Sequence, residues 1–293
     1  MSQFRSSDLW SSRSCCQLTQ RSLYRRRRCS AGGGSGDGST ELGGVGASRI
    51  LFGLVMALNV SSMIDAPCGA MVWQRSLLNQ LLHNRRAFRY LGIDVVSSVI
   101  AANRHRFQNT SWSAKKNATR FNPDFRIAFE RADLASSSWS VPRGYDLIFS
   151  RDALQHNKLA DVWQILERFA SSDAKYVMLG SYPAGSLGCT YTRLPAPPSA
   201  GVNATHVTTT NRDLPSTGDF FCVDLRQPPF RLTPMMDMAE ADSHRKHLYV
   251  FDRARMRAEL YSQRQEFVDF LDVTARGTAR RRRGGGTRKE KLG

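Results

Sequence analysis

The sequence lacks three patterns that would each indicate a particular class of protein. No G-x-G-x-x-G run is present, so the usual glycine fingerprint of a nicotinamide-binding fold is missing. No apolar stretch reaches the roughly 20 residues that a membrane-spanning helix needs. The longest one, Ile50 to Val60, predicts a buried helix instead. None of the six cysteines has C-x-x-C spacing, so neither a zinc site nor a disulfide framework is indicated, and we expect a reducing compartment.

Acidic residues are scarce beside basic ones. The chain has 42 Lys and Arg against 25 Asp and Glu, a formal net charge of +17. Much of this excess lies near the two ends, in Arg25 to Arg28, in Arg280 to Arg283, and in Arg288, Lys289 and Lys291. Such blocks are usually solvated tails that attract polyanions without sequence preference. Nucleic acid is therefore one candidate partner.

Composition also predicts the domain boundaries. We expect a disordered basic and Gly-Ser tail at 1–40, one domain at 41–275, and a disordered basic tail at 276–293. Residues 1–30 are rich in Arg and Ser, which fits an organelle transit peptide as well as plain disorder. We expect an intracellular protein, in the cytoplasm first and in an organelle or the nucleus as alternatives.

Apolar runs and helical periodicity alternate from about residue 50 to residue 181. This predicts an α/β fold: a doubly wound, mostly parallel seven-stranded sheet with helices on both faces and a C-terminal antiparallel strand pair. The predicted strands are 61–66, 88–95, 125–133, 145–150, 175–181, 220–225 and 247–252, and the predicted helices are 49–59, 73–84, 97–107, 154–169 and 253–270. Ser48 would cap the first helix. The segment 182–218 is rich in Pro, Gly, Ser and Thr and predicts a long loop or lid.

Two aspartates each end a short apolar run. Asp65 ends the first predicted strand and Asp94 ends the second, with a spacing that fits one strand–helix–strand unit of roughly 30 residues. Pro67, Cys68 and Gly69 follow the first acid, and a glycine there lets the backbone approach a ligand closely. An acid at the end of the second strand can accept hydrogen bonds from ribose hydroxyls, or simply cap the next helix. This pairing favours a nucleotide-like cofactor.

Four further polar residues follow the third and fourth predicted strands. Asp133 is placed to accept from an adenine amino group, or is a solvated loop acid. Arg151 and Asp152 follow the fourth strand, at the edge where open sheets bind ligands. His156 follows them and is a candidate general base, with a surface histidine as the alternative.

These segments together resemble the class I, Rossmann-like, S-adenosylmethionine-dependent methyltransferases. Ile64 to Gly69 is similar to the Pro-Cys-Gly variant of motif I, and Tyr90 to Asp94 is similar to the second-strand motif. Arg131 to Asp133 resembles the adenine-side motif, and Tyr145 to His156 resembles the fourth-strand motif with the helix behind it. The resemblance covers residues 35 to 252, in order and at the expected spacing.

The resemblance implies methyl transfer from S-adenosylmethionine to an acceptor that the enzyme aligns with the methyl group while excluding water. The acceptor is left open between a small molecule, a protein side chain and an RNA, and no metal is implied. Segment 182–218 and Asp219 to Phe221 would shape its pocket. The implied cofactor-binding residues are Asp65, Pro67, Cys68, Gly69, Asp94 and Asp133, and the implied acceptor-side residues are Arg151, Asp152 and His156.

The chain departs from the motif I pattern in ways that keep two alternatives open. Where the usual motif has three glycines, this chain has Pro67, Gly69 and Met71, and Ala70 stands where some relatives carry an acid. One alternative is a non-catalytic methyltransferase-like protein that binds nucleic acid through its tails. The other is an NAD(P)-dependent oxidoreductase, since two acids at strand ends fit that class as well.

Overall fold

The computed structural model describes residues 39–84, 87–109, 124–186, 189, 192–194, 208–214, 216–241 and 246–284. The predicted N-terminal tail therefore lies outside the described residues almost entirely, together with the arginine block at 25–28. Residues 276–284, predicted as part of a disordered basic tail, instead continue the last helix to Gly284, and the residues from 285 onward lie outside the described range too.

A seven-stranded sheet forms the centre of the fold. Its strands are β1 (Ser62–Asp65), β2 (Phe88–Asp94), β3 (Phe125–Arg131), β4 (Leu147–Ser150), β5 (Tyr176–Ser181), β8 (Met236–Ala239) and β9 (His247–Asp252). They lie in the order β3-β2-β1-β4-β5-β9-β8. The first five strands in this order are mutually parallel, and β9 runs antiparallel to both β5 and β8, so the predicted fold class is confirmed. A separate antiparallel pair, β6 (Thr192–Leu194) with β7 (Thr208–Thr210), lies within the predicted lid segment.

Helices cover both faces of the sheet because successive strand residues point to opposite sides. In β1, Met63 packs with the first three helices and Ile64 with the last two. Both faces of β1 are thus buried, which is why its sequence is an apolar run without alternation. The helices are α1 (Val45–Ala57), α2 (Gln74–Asn84), α3 (Ser97–Asn109), α4 (Leu159–Ser171) and α5 (Arg253–Gly284). None of the helices in the described ranges is long and apolar enough to cross a membrane.

Two predicted helix starts are wrong. The first helix begins at Val45 after an N-cap at Gly44, so Ser48 is a buried residue inside the helix and caps nothing. The predicted helix 154–169 is divided into a short 3₁₀ turn, Leu154–His156, and α4. The helix α4 starts late because Asp213, distant in sequence, accepts a hydrogen bond from the Leu159 amide at 2.8 Å.

The prediction of a strand at 220–225 is also wrong. This segment is irregular and lies beyond the end of β5, where Tyr182 donates its amide to the Val223 carbonyl. The Asn211 side chain replaces a strand partner, since it accepts from the Asp224 amide and donates to the Asp224 carbonyl, both at 2.8 Å. The partner of β9 is instead β8, a mostly exposed edge strand whose sequence has no apolar run.

Asp146 connects the amino ends of three strands, β1, β4 and β5, through hydrogen bonds and an ion pair. Its carboxylate accepts from the Ser61 amide at 2.9 Å, from the Ser61 hydroxyl at 2.7 Å and from the Ser62 hydroxyl at 3.0 Å, and it pairs with Lys175 at 2.9 Å. Burial alone would raise the pKa of Asp146, but the hydrogen bonds from Lys175 and Ser61 outweigh it and hold the pKa below its usual range.

We expect Asp146→Asn to lower the free energy of unfolding at pH 7 by about 1–3 kcal/mol, because the amide cannot satisfy these donors. A carboxyl whose pKa is depressed on folding stabilises above its unfolded pKa and loses that effect as the pH falls. The difference between the variant and the natural chain should therefore shrink below about pH 4. Urea denaturation followed by circular dichroism measures both, with exposed Asp269→Asn as the control. Equal stability at pH 7 would contradict this role.

Candidate cofactor site

The turn after β1 lies between the ends of β1 and β2. The Cys68 amide donates to the Ile93 carbonyl at 2.8 Å, and the Gly69 amide donates to the Asp94 carboxylate at 3.0 Å. Gly69 has a φ of +56°, a backbone conformation that glycine adopts without strain. Pro67 lies between these groups and Asp65, so the structure brings the first five predicted cofactor residues into one cluster.

Asp65 is almost fully buried in this cluster. Its Oδ2 accepts from the Tyr90 hydroxyl at 2.5 Å and from Gln74 Nε2 at 3.3 Å. Burial raises the pKa of Asp65 to about 7, although the hydrogen bonds from Tyr90 and Gln74 oppose this shift. The carboxyl can therefore gain or lose a proton near neutral pH.

Asp94 presents its carboxylate to the turn and to the start of the next helix. Besides the Gly69 amide it accepts from the Val96 amide at 2.9 Å. Burial raises the pKa of Asp94, and these backbone amides oppose the shift. Its contact with Val96 is that of a local turn just before α3, which begins at Ser97, so Asp94 orders the approach to this helix without capping its amides.

Asp133 lies two residues beyond β3, at the same edge of the sheet. Its Oδ1 accepts from the Ala135 amide at 3.0 Å, and the residue is partly buried. Three acids thus follow three adjacent strands in the order of the sheet, β3, β2 and β1. This is the arrangement that would be needed to span an adenosine from base to ribose.

Met71 replaces a motif glycine without filling the ligand side of the turn. Its side chain is fully buried in the core, and its sulfur lies 3.0 Å from the Tyr90 hydroxyl oxygen, whose hydrogen is donated to Asp65. Its φ of +56° is uncommon for a residue with a side chain. Backbone strain of this kind tends to persist at functional sites.

A network of four charges, two of them buried and two partly buried, lies at the end of β4. Arg151 donates through Nε and Nη2 to the two oxygens of Glu240, at 2.9 and 2.7 Å. Arg151 also pairs with Asp152 at 3.0 Å, and Asp152 pairs with Lys246 at 2.7 Å. Sequence analysis missed Glu240 and Lys246. They lie here because β9 reverses direction, which brings the tip of the β8–β9 hairpin to the same edge of the sheet.

The N-terminal segment, Gly43 and Gly44 before α1, contacts the edge of the sheet where this charge network lies. The Gly43 carbonyl accepts from Arg151 Nη2 at 2.7 Å. Gly44 lies against the Trp73 ring so closely that an added Cβ would be 2.1 Å from Trp73 Cγ. Gly43 and Gly44, which lead into α1, thus contact Arg151 and Trp73, the residue just before α2.

His156 lies beside aromatic rings. Its ring is 5.7 Å from that of Phe220, which in turn is 5.6 Å from that of Tyr182 at 88°. Nδ1 of His156 lies 3.0 Å from the Asp219 carbonyl oxygen. Because a carbonyl oxygen only accepts, Nδ1 carries the hydrogen. Burial lowers the pKa of His156, so the ring is neutral near pH 7 and Nε2 is its unprotonated nitrogen.

A disulfide joins Cys189 to Cys222, contrary to our expectation that the cysteines would form no disulfide framework. It connects the predicted lid segment to the residues just after Phe220 and Phe221. Spacing in sequence gave no sign of this pair, since 33 residues separate the two cysteines. Cys68 is a buried free thiol, whereas the three N-terminal cysteines lie outside the described residues.

Comparison with known proteins finds likeness at the level of the fold. No protein-family model and no curated protein matches the chain. Magnesium protoporphyrin IX methyltransferase from Synechocystis PCC 6803 with bound SAM is 12% identical, with a TM-score of 0.44 over 83% of this chain and 93% of that one. The methyltransferase domain of bacterial CtHen1-C is 14% identical, with a TM-score of 0.42 over 70% of this chain and 96% of that one.

The sheet of this chain has the mostly parallel, seven-stranded form with a C-terminal antiparallel strand pair that the sequence predicted, although the pair is β8 with β9 and not 220–225 with 247–252.

We expect Asp65→Asn to become increasingly stabilising, relative to the natural chain, as the pH rises. A buried acid whose pKa is raised on folding stabilises at low pH and loses that contribution as the pH passes through its folded value of about 7. The variant cannot ionise, so its advantage should grow between pH 4 and pH 8 by up to about 4 kcal/mol. Chemical denaturation across this range measures the difference. A difference that stays constant with pH would show that Asp65 does not titrate there.

Proposed function

We propose that this chain is an S-adenosylmethionine-dependent methyltransferase whose acceptor is still to be identified. The observation that carries the proposal is the bond between the Gly69 amide and the Asp94 carboxylate. This bond keeps the Gly69 turn beside Asp94, the acid that we propose as the ribose ligand, at the ends of the adjacent parallel strands β1 and β2. Ligands of open α/β sheets bind at this edge.

Buried polar atoms around the turn support a polar ligand. Gln74 Oε1, Asn103 Oδ1 and Ser150 Oγ are buried and have no hydrogen-bond partner within the described part of the chain. Native proteins rarely leave such atoms without partners, so each calls for an explanation. A polar cofactor, or water that it displaces, would provide one.

The proposed roles follow from these contacts. S-adenosylmethionine supplies a methyl group on a sulfonium, which is already a good leaving group. Gly69, Asp94 and Asp133 would bind and orient the cofactor, and Asp65 would hold the turn through Tyr90 and Gln74. On the acceptor side, the neutral His156 would take a proton at Nε2 where the acceptor has to lose one. Arg151 and Asp152 would order the segments around this side.

The two alternatives find less support. An oxidoreductase of the dinucleotide-binding class needs a glycine-rich turn that the sequence lacks, and the reversed strand β9 departs from its all-parallel sheet. A non-catalytic copy was suggested by Met71, but that side chain is directed into the core toward Tyr90. Nucleic acid as a partner stays a prediction.

The first test is isothermal titration of the full chain with S-adenosylmethionine. We expect a Kd in the micromolar range, about 8 kcal/mol of binding free energy. Asp94→Ala should abolish binding, because it removes the acceptor of the Gly69 amide and the proposed ribose ligand together. Asp173→Ala, a change at an exposed loop acid, should leave the Kd unchanged. A folded natural chain that binds no S-adenosylmethionine would refute the proposal.

Cofactor binding should also release a proton near pH 7. The sulfonium cation favours the ionised form of Asp65, whose pKa of about 7 leaves the carboxyl partly protonated beforehand. The apparent binding enthalpy should therefore differ between phosphate and Tris buffers, which have different ionisation enthalpies. Asp65→Asn should abolish the difference while some binding persists. Equal enthalpies in both buffers for the natural chain would count against ionisation of Asp65 on binding.

A further inference from the structure

Three successive carbonyl groups of the turn after β1 are held by side chains from neighbouring helices. Gln74 Nε2, from the first residue of α2, donates to the Cys68 carbonyl at 2.8 Å. Asn103 Nδ2 and Arg106 Nη1, both from α3, donate to the carbonyls of Gly69 and Ala70 at 2.8 and 2.9 Å. We call these three donors the carbonyl clamp.

The two donors on α3 reach the turn because they are three residues apart and so lie on one face of the helix. Asn103 is 1% exposed, and Arg106 is partly buried. Arg104, between them, turns the other way and donates to the Phe129 carbonyl of β3 at 3.0 and 2.8 Å. Two arginines of the same helix therefore contact different parts of the fold: Arg106 contacts the turn, and Arg104 contacts the sheet.

The clamp fixes the direction of the amides that follow each carbonyl. In a planar trans peptide unit the C=O and N–H groups point in opposite directions. Since the carbonyls of Gly69 and Ala70 face α3, the N–H groups of Ala70 and Met71 point away from it. Neither amide donates to any part of the chain that the structure describes, although Met71 is fully buried. A buried N–H without a partner is rare and indicates an acceptor supplied from elsewhere.

We infer that Asn103 and Arg106 are positioning residues that hold the turn in its cofactor-binding form, an inference that rests on the proposed function. Pro67 and Met71 stand where the usual motif has glycines, so the backbone alone is less free to take up this form. The side chains on α3 supply the constraint from outside the turn. They present the amides of Ala70 and Met71 to an acceptor atom of the cofactor.

The test compares S-adenosylmethionine affinity with stability in the full chain. Asn103→Leu and Arg106→Met should each raise the Kd about tenfold, and Arg106→Lys, which keeps a donor, should recover part of the loss. Arg104→Met is the matched control: it removes an arginine–carbonyl contact from the same helix, and should leave the Kd within about twofold even where it lowers the melting temperature. Calorimetry well below the melting temperature gives the Kd, and differential scanning calorimetry gives the stability.

The outcomes separate the inference from the proposed function. If the natural chain binds and both α3 variants bind equally well, the clamp has no positioning role. If affinity falls in all variants in proportion to their stability, Arg104→Met included, the role is structural only and the inference is wrong. If the natural chain itself binds no S-adenosylmethionine, the proposed function fails first. Arg106 is only partly buried, so Arg106→Met keeps the test decisive should Asn103→Leu fail to fold.

Discussion

The hydrogen bond between the Gly69 amide and the Asp94 carboxylate sets the geometry on which the rest of the site depends. It connects the turn after β1 to the end of β2, two strands that pair in parallel with Asp65 opposite Gly92. The turn can lie this close because Gly92 has no side chain: an added Cβ would be 2.7 Å from the Phe129 ring and 3.0 Å from Cys68 Sγ. Close approach of sheet and turn then places the buried carboxyl of Asp65 beneath the turn. The location of the proposed cofactor is thus decided by the close approach of the turn to β2, which the Asp94 carboxylate holds through the Gly69 amide.

The same region carries several features that lower stability. Gln74 Oε1 and Asn103 Oδ1 are buried acceptors without partners in the described residues, and a buried unsatisfied polar group costs about 1–3 kcal/mol. Both side chains nevertheless direct their amide nitrogens at carbonyl groups of the turn. If either side-chain amide were rotated by 180°, its oxygen would face the carbonyl oxygen instead. Met71 and Asp152 add positive φ angles at non-glycine positions. Departures from local preference are expected at functional sites, and these four lie at one edge of the sheet, although Asn59 and Arg231 have positive φ angles elsewhere in the described residues.

Sequence patterns predicted the parts of the fold whose side chains are buried on both faces. The runs that became β1, β2, β4, β5 and β9 are apolar because helices cover both sides, and that signal is local. The edge strand Met236–Ala239 has no such signal, since most of it is exposed, whereas 220–225 is apolar because it packs over the end of the sheet without joining it. The candidate cofactor residues follow from the same local logic, because they lie at or just after the ends of strands. Glu240, Lys246, Asn103 and Arg106 could not be found this way, because their contacts depend on strand pairing and helix rotation that link positions far apart in sequence.

The charge network gives Arg151 a different role from that of a substrate ligand. Its guanidinium is 4% exposed and donates to both oxygens of Glu240, to Asp152 and to the Gly43 carbonyl. Drawing it toward a bound anion would leave Glu240 buried without its cation, at a cost of about 3–5 kcal/mol. The four charges of Arg151, Asp152, Glu240 and Lys246 sum to zero, so they attract neither cations nor anions strongly. Arg151 instead joins three separate segments: the N-terminal segment at Gly43, the end of β4 and the tip of the β8–β9 hairpin. In the proposed methyltransferase, we therefore expect selectivity for the acceptor to come from His156, Phe220 and Tyr182. The charge network would hold the segments around these residues in place.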